Sequence, residues 1–294
     1  MKRKTLLTVL SGLLSLVAAL TLLAPSLGLQ GITFARSRST ALDASPPVTY
    51  YGGPVMPGNV SVYAIFWFPG DQGDMSTYIS SIKQYYQDVS GNRLYNMLSE
   101  YAGHNGTPSS TTLQGSWEDT GNPYDSTITA QDFSNEVKRA IAINNWPTGG
   151  YTNYFPVYTL PGANVFSHLT GTHLSFGPPD HLTIYGFVTY CSSGTCDVPT
   201  HPNDPNSYAT DGAIDASAHE QFEAATDPGV DRGLGWMGKG EIGDLCTGTF
   251  GPTPYPYDQR QANQQWVNAQ GTPDPYIIQE IMSDTPLGCI LGTS

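Results

Sequence analysis

One stretch, Asp211 to Cys246 (DGAIDASAHEQFEAATDPGVDRGLGWMGKGEIGDLC), constrains this chain more than any other. Ala213, Ala216, Ala218, Ala224 and Ala225 favour helix, and Asp215 is a residue type that caps a helix N-terminus. Pro228 with Gly229 ends the helix. Residues four apart share a helix face, so His219 and Glu223 point the same way, with Glu220 one position round. A Thr226-Asp227-Pro228 turn follows, and Glu241-Ile242-Gly243-Asp244 comes after a glycine-rich segment. No other part of the sequence gathers so many candidate ligands and acid/base groups.

Two side chains on one helix face can hold one metal ion while a neighbouring carboxylate reaches a water on it. The spacing is that of the zinc peptidase motif H-E-x-x-H, with Glu223 where the second histidine stands. A carboxylate is an acceptable zinc ligand, and its charge makes a bound water less acidic. Glu220 is then the candidate general base. Glu241 is the first choice for a third ligand and Asp244 the second, since both follow a turn that can fold back under the helix. Asp227 is a further candidate near the helix end. The ordinary alternative is a hydrogen-bonded core histidine at 219 with Glu220 and Glu223 on a solvated face.

His168, His173 and His181 lie across a loop-rich stretch without paired spacing. They read as polar loop residues, with His173 or His181 as second-rank ligands able to replace Glu241. His104 reads as an exposed loop residue and His201 as part of a turn. The sequence contains no glycine-rich phosphate loop and no serine nucleophile elbow.

Lys2, Arg3 and Lys4 precede an almost wholly apolar run from Leu6 to Ala24. Thr33-Phe34-Ala35 supplies small residues at the usual cleavage positions, so residues 1–35 read as a signal peptide, with an uncleaved anchor as the competing reading. Residues 36–49 read as a flexible lead-in, and residues 50–294 as a single secreted domain. The formal charge of −13 becomes about −16 without the three leader cations. So acidic a chain argues against nucleic acid and, after cleavage, against an anionic membrane as partner. The four cysteines allow three pairings; Cys191–Cys196 is expected as a local loop and Cys246–Cys289 as a long tie on the C-terminal segment.

Asn59 to Phe68 (NVSVYAIFWF) reads as a central strand covered on both faces. Helices are expected over Met75–Asp88, Arg93–Tyr101 and from Thr129, where Asp132 forms a capping-box variant. Further strands are expected near Thr112–Trp117, at Tyr154–Leu160 with Pro156 forcing an edge or bulge, and at His181–Tyr190. Gly251–Tyr257 reads as extended, and Gln264–Asn268 and Tyr276–Met282 as terminal strands. Strands interleaved with helices give an α+β or α/β domain with a mixed central sheet packed by helices.

The segments Tyr51-Gly52-Gly53-Pro54-Val55 and Gly58-Asn59-Val60-Ser61-Val62, the helix after that strand, the paired Cys191 and Cys196, and Tyr276-Ile277-Ile278-Gln279-Glu280 carry a resemblance. Together they resemble the exordium-like, or phosphate-induced, secreted proteins over most of residues 50–290. The resemblance implies an extracellular protein linked to growth and to phosphate or sugar signalling, with no firm enzymatic activity. The His219-to-Asp244 cluster is similar to a pattern in bacterial secreted relatives. Its first four positions resemble zincin metallopeptidases, which implies a zincin-like arrangement with the active-site helix following the edge of a sheet.

Two functions are therefore expected. One is a secreted zinc-dependent hydrolase, foremost a peptidase acting on extracellular peptide or protein. The other is a non-catalytic cell-wall-associated protein that contacts glycan through its aromatic residues, with the carboxylates structural or holding calcium.

Overall fold

The computed structural model describes residues 47–70, 73–90, 93–167, 169–192, 194–196, 198, 206–250 and 276–291. The expected leader (1–35), His168, His201, Gly251–Tyr257 and Gln264–Asn268 lie outside them. All the described residues belong to one unit, Arg36–Ser294.

A mixed five-stranded sheet organises the domain. It is built from β2 (Gly58–Trp67), β3 (Pro108–Asp119), β4 (Asn153–Tyr158), β5 (Gly171–Phe176) and β6 (Thr183–Val188). Their order is β3-β2-β4-β6-β5. β2 runs parallel to β3 and β4, and β4 parallel to β6, while β5 joins β6 antiparallel at the edge. A short strand, β1 (Val48–Tyr50), pairs with β7 (Trp236–Gly238), so the end of the expected lead-in is ordered by pairing. A terminal hairpin joins β8 (Ile281–Asp284) to β9 (Leu287–Ile290).

The near-continuous apolar run of β2 follows from burial on both faces. Successive strand residues point to opposite sides. Ala64 and Phe66 enter the core under α1 (Ser76–Asp88) and α4 (Tyr208–Thr226). Ile65 and Trp67 enter the core under α3 (Ala130–Asn144). On that second face Phe133 stacks on Phe187 at 4.3 Å between ring centres; truncating either to Ala costs ~3–5 kcal/mol. Helix α3 carries the expected capping box, with Thr129 and Asp132 each accepting from the other's backbone N–H. The expected helix at Arg93 is short. It forms α2 (Arg93–Asn96) and then a 3-10 turn, Met97–Glu100.

Three expectations change. Pro156 lies in β4, an interior strand between β2 and β6. The missing N–H is absorbed by a gap in the β2–β4 ladder, where partners stop at Val62↔Tyr154 and resume at Ile65↔Val157. Asp215 does not cap α4. The helix starts about two turns earlier, where Ser207 accepts from the Thr210 amide, and Asp215 instead accepts the Gln279 amide at 2.7 Å. Tyr276–Glu280 forms no strand; pairing begins at Ile281.

The disulfides are Cys191–Cys196 and Cys246–Cys289, as expected. Among the described residues no helix is long and apolar enough to cross a membrane.

Candidate metal centre

Helix α4 is buried along nearly its whole length, Ala209 to Thr226, although it carries many polar side chains. A helix can be buried all round only if each such group finds a partner. Gln221 donates to Thr111 Oγ1 at 2.9 Å and accepts from the Tyr85 hydroxyl at 3.0 Å. Ser217 meets the Tyr158 hydroxyl at 2.7 Å. Asp211 accepts from Asn206 at 2.8 Å. His219, Glu220 and Glu223 are different: the side chains they meet are other ionisable groups.

Those groups come from three places. His173 stands on β5 and is 1% exposed. His219, Glu220 and Glu223 come from α4, and Glu241 and Asp244 from the turn after β7. His219 Nε2 lies 3.0 Å from Glu223 Oε1 and 3.6 Å from Asp244 Oδ1. His173 Nδ1 lies 3.4 Å from Glu220 Oε2 and 3.8 Å from Glu223 Oε2, and its Nε2 lies 3.5 Å from Glu241 Oε1. Two groups have ligand atoms within 4.8 Å of one another, His219–Glu223–Asp244 and His173–Glu223–Glu241. The outer group reaches solvent at Asp244, whose side chain is 19% exposed. The inner group is buried throughout.

The residues singled out from the sequence are thus brought together, but in a different partition. Asp244 joins His219 and Glu223, whereas Glu241 joins His173. Asp227 lies at the helix end, where its carbonyl oxygen sits 3.0 Å from His173 Nε2. His181 and His104 are exposed and outside the cluster. His173 is not the loop residue expected, because Gly171–Phe176 is a strand. The signal was there: Leu174 and Phe176 alternate with polar His173 and Ser175, a period of two.

The turn that carries Glu241 and Asp244 is fixed from outside. Gln279 donates to the Gly243 carbonyl at 2.8 Å, and Met282 N–H to the Ile242 carbonyl at 2.9 Å. Cys246, at the end of the turn, is tied to Cys289. The Asp244 amide donates to Glu223 Oε1 at 3.0 Å. Space for the cluster comes from two glycines. A Cβ on Gly243 would lie 2.8 Å from Glu223 Oε1 and 3.0 Å from the His219 ring, and one on Gly171 would lie 2.9 Å from Glu220 Oε1.

The charges do not balance. Glu220, Glu223, Glu241 and Asp244 face two imidazoles, and even two imidazolium ions leave an excess of negative charge in a buried volume. Burial pushes Glu241 well above the usual carboxylate range, helped by Glu223 and opposed by His173. Burial also raises Glu223, against the pull of His219. Burial by itself lowers His173, but Glu241, Glu220 and Glu223 outweigh it and push it up to about 10. His219 is likewise held well above its ordinary value, burial being outweighed by Glu223 and Asp244. Asp244 ends below its ordinary value, since His219 outweighs its burial.

Part of the spacing is that of ligands around one ion. Two atoms each ~2.1 Å from one ion, at the tetrahedral angle, lie ~3.4 Å apart. A charge-assisted N–H···O bond would instead close to ~2.7–2.9 Å. The separations of 3.6 Å (His219 Nε2–Asp244 Oδ1) and 3.8 Å (His173 Nδ1–Glu223 Oε2) sit with the first distance, while His219 Nε2–Glu223 Oε1 at 3.0 Å lies nearer the second. The buried His, Glu and Asp groups are therefore able to bind a metal ion.

A cleft of about 630 Å³ lined by Phe68, Met75, Ile79, Lys83, Gln84 and Glu118 shares no residue with this cluster. No family model matches the chain, and no curated protein matches it. The exordium-like and zincin resemblances rest on the sequence segments that carry them.

Proposed function

We propose that this is a secreted zinc-dependent hydrolase whose substrate is an extended peptide. The observation that carries the reading is the set of buried N and O atoms spaced as ligands around an excess of negative charge. His219, Glu223 and Asp244 would hold the zinc in the outer, solvent-reaching group. Two imidazoles in the cluster favour zinc over calcium, which takes oxygen ligands. Zinc, when bound there, supplies Lewis-acid polarisation of a scissile carbonyl and lowers the pKa of water.

The chain's own groups do the rest. Glu220 is the proton acceptor, adjacent in sequence to His219 and held against β5, with Oε2 3.4 Å from His173 Nδ1. Gly171 leaves room for its other oxygen. The Asp244 amide holds Glu223 Oε1 beside His219 Nε2. Strand β5 is one of the two sheet edges, and an edge strand is where an extended peptide can add main-chain hydrogen bonds. The two disulfides suit an oxidising, extracellular setting.

The test pairs elemental analysis with turnover of a pool of quenched fluorescent peptides. Glu220→Gln is expected to keep its zinc and lose turnover by ~10²-fold or more, while His219→Ala loses turnover and the zinc of the outer group. Turnover surviving in Glu220→Gln removes the residue from this role. Wild-type protein without metal sinks the reading and leaves a non-catalytic extracellular protein.

A further inference from the structure

Glu223 faces two ways. Its Oε1 lies 3.0 Å from His219 Nε2, and its Oε2 lies 3.8 Å from His173 Nδ1. The outer and inner groups therefore share this one residue. An ion in the outer group alone leaves the inner one unexplained.

The inner group has its own marks of a missing ligand. Glu241 Oε1 is buried and accepts no hydrogen bond from a described residue, and its side chain is 8% exposed. The nearby His173 Nε2, at 3.5 Å, is engaged elsewhere, 3.0 Å from the Asp227 carbonyl oxygen. A carbonyl only accepts, so Nε2 carries hydrogen in that bond, and Nδ1 can present its lone pair toward the carboxylate oxygens of Glu220 and Glu223. A backbone carbonyl behind a ring nitrogen is the arrangement that fixes a metal-binding histidine. Charge points the same way. With neutral imidazoles, one dication against the carboxylates of Glu220, Glu223, Glu241 and Asp244 leaves an excess of negative charge, to which buried Asp227 beside Glu241 adds, so a second dication is electrostatically favoured.

We propose that Glu223 bridges two divalent cations of the zinc class, the outer one on His219 and Asp244 and the inner one on His173 and Glu241. This rests on the metal reading above. The inner ion lies beyond solvent's direct reach and neutralises the floor of the site. The outer one keeps positions open toward Asp244 and the surface.

Purified full-length secreted protein is stripped with chelator, reloaded with excess zinc, desalted and assayed for metal per chain. Two equivalents are expected in the wild type, one in His173→Ala, one in His219→Ala, and fewer than one in Glu223→Ala. His173 is buried and its replacement can disturb folding, so a second measurement uses only wild type. Manganese is titrated into the stripped protein and followed by electron paramagnetic resonance. The second equivalent is expected to broaden the isolated-ion signal into an exchange-coupled one. One equivalent in the wild type, with an uncoupled manganese signal, overturns the bridge and leaves the single-zinc function standing. No metal at all overturns both.

Discussion

The tie between Cys246 and Cys289 gives the sharpest quantitative prediction, because it acts on stability and on the site through one turn. The bridge spans a sequence separation of 43. Chain-entropy reasoning assigns closure of a loop that long ~4 kcal/mol in the unfolded ensemble. In a domain of this size each kcal/mol moves the melting temperature by ~2–4 °C, so Cys246→Ala/Cys289→Ala should melt about 8 to 16 °C lower in the metal-free state. Asp244 lies two residues before Cys246, and its amide holds Glu223 Oε1 at 3.0 Å. Loosening this turn should also weaken zinc binding, by ~10-fold if it costs the outer group about 1.4 kcal/mol. The assay is thermal unfolding by circular dichroism in chelator, followed by competitive zinc titration. A melting temperature within about 2 °C of wild type, less than the shift from a single kcal/mol, would refute the entropic argument. A large thermal loss with unchanged zinc affinity would refute the claim that the tie positions Asp244.

Two further outcomes follow from local geometry. Gly243→Ala places a methyl 2.8 Å from Glu223 Oε1 and 3.0 Å from the His219 ring, at a backbone φ of −78° that any residue adopts; folding should survive while zinc affinity falls by ~10-fold or more, read by the same titration. Glu136 is fully buried beside Asp119 and accepts from Asn122 at 2.7 Å. Burial first, then Asp119, pushes it from an ordinary 4.5 to about 7. A folded value above the unfolded one means that the folded state keeps a proton which the unfolded state releases. The contribution is present in full below pH 4.5 and is lost as pH rises through about 7. Glu136→Gln should remove that decline from a series of melts between about pH 5 and 8, and an unchanged slope would show that another group carries it.

Much of the framework was legible because period and composition agree. The β2 run, the α1 period and the Thr129–Asp132 box each fix a local answer that packing then preserves. Positions 219 and 223 were legible for the same reason, since the helix itself sets their relation. The assignment of third ligands was not. Glu241 and Asp244 are three apart in a turn, and which one meets His219 depends on where Gln279, Met282 and Cys289 hold that turn from distant parts of the chain. His173 was obscured for a similar reason. Its strand is only six residues long, and its meaning as a ligand exists only after β5 docks against α4. Pro156 illustrates the opposite failure, a sound local rule overridden because the parallel ladder on one side of β4 skips two pairs.

These elements would link a bound metal to the fold. The outer group is held by the helix on one side and by a turn on the other, and the turn is clamped by a disulfide and by Gln279. An ion joining His219, Glu223 and Asp244 is therefore a second cross-link on the same turn. At a free concentration about a thousand times its Kd it would stabilise the folded chain by ~4 kcal/mol, which is comparable to the disulfide. Two constraints on one turn should not act independently, because neighbouring perturbations couple by ~0.5–3 kcal/mol. With the disulfide intact the turn is already in place, and zinc bound as proposed would meet an ordered site. Without it, part of the binding energy goes into ordering the turn. The expected result of a double cycle, disulfide against chelation, is a smaller zinc-induced rise in melting temperature in Cys246→Ala/Cys289→Ala than in the wild type. Equal rises would mean that the turn stays ordered without its tie, and that Gln279 and the β8 backbone alone position Asp244.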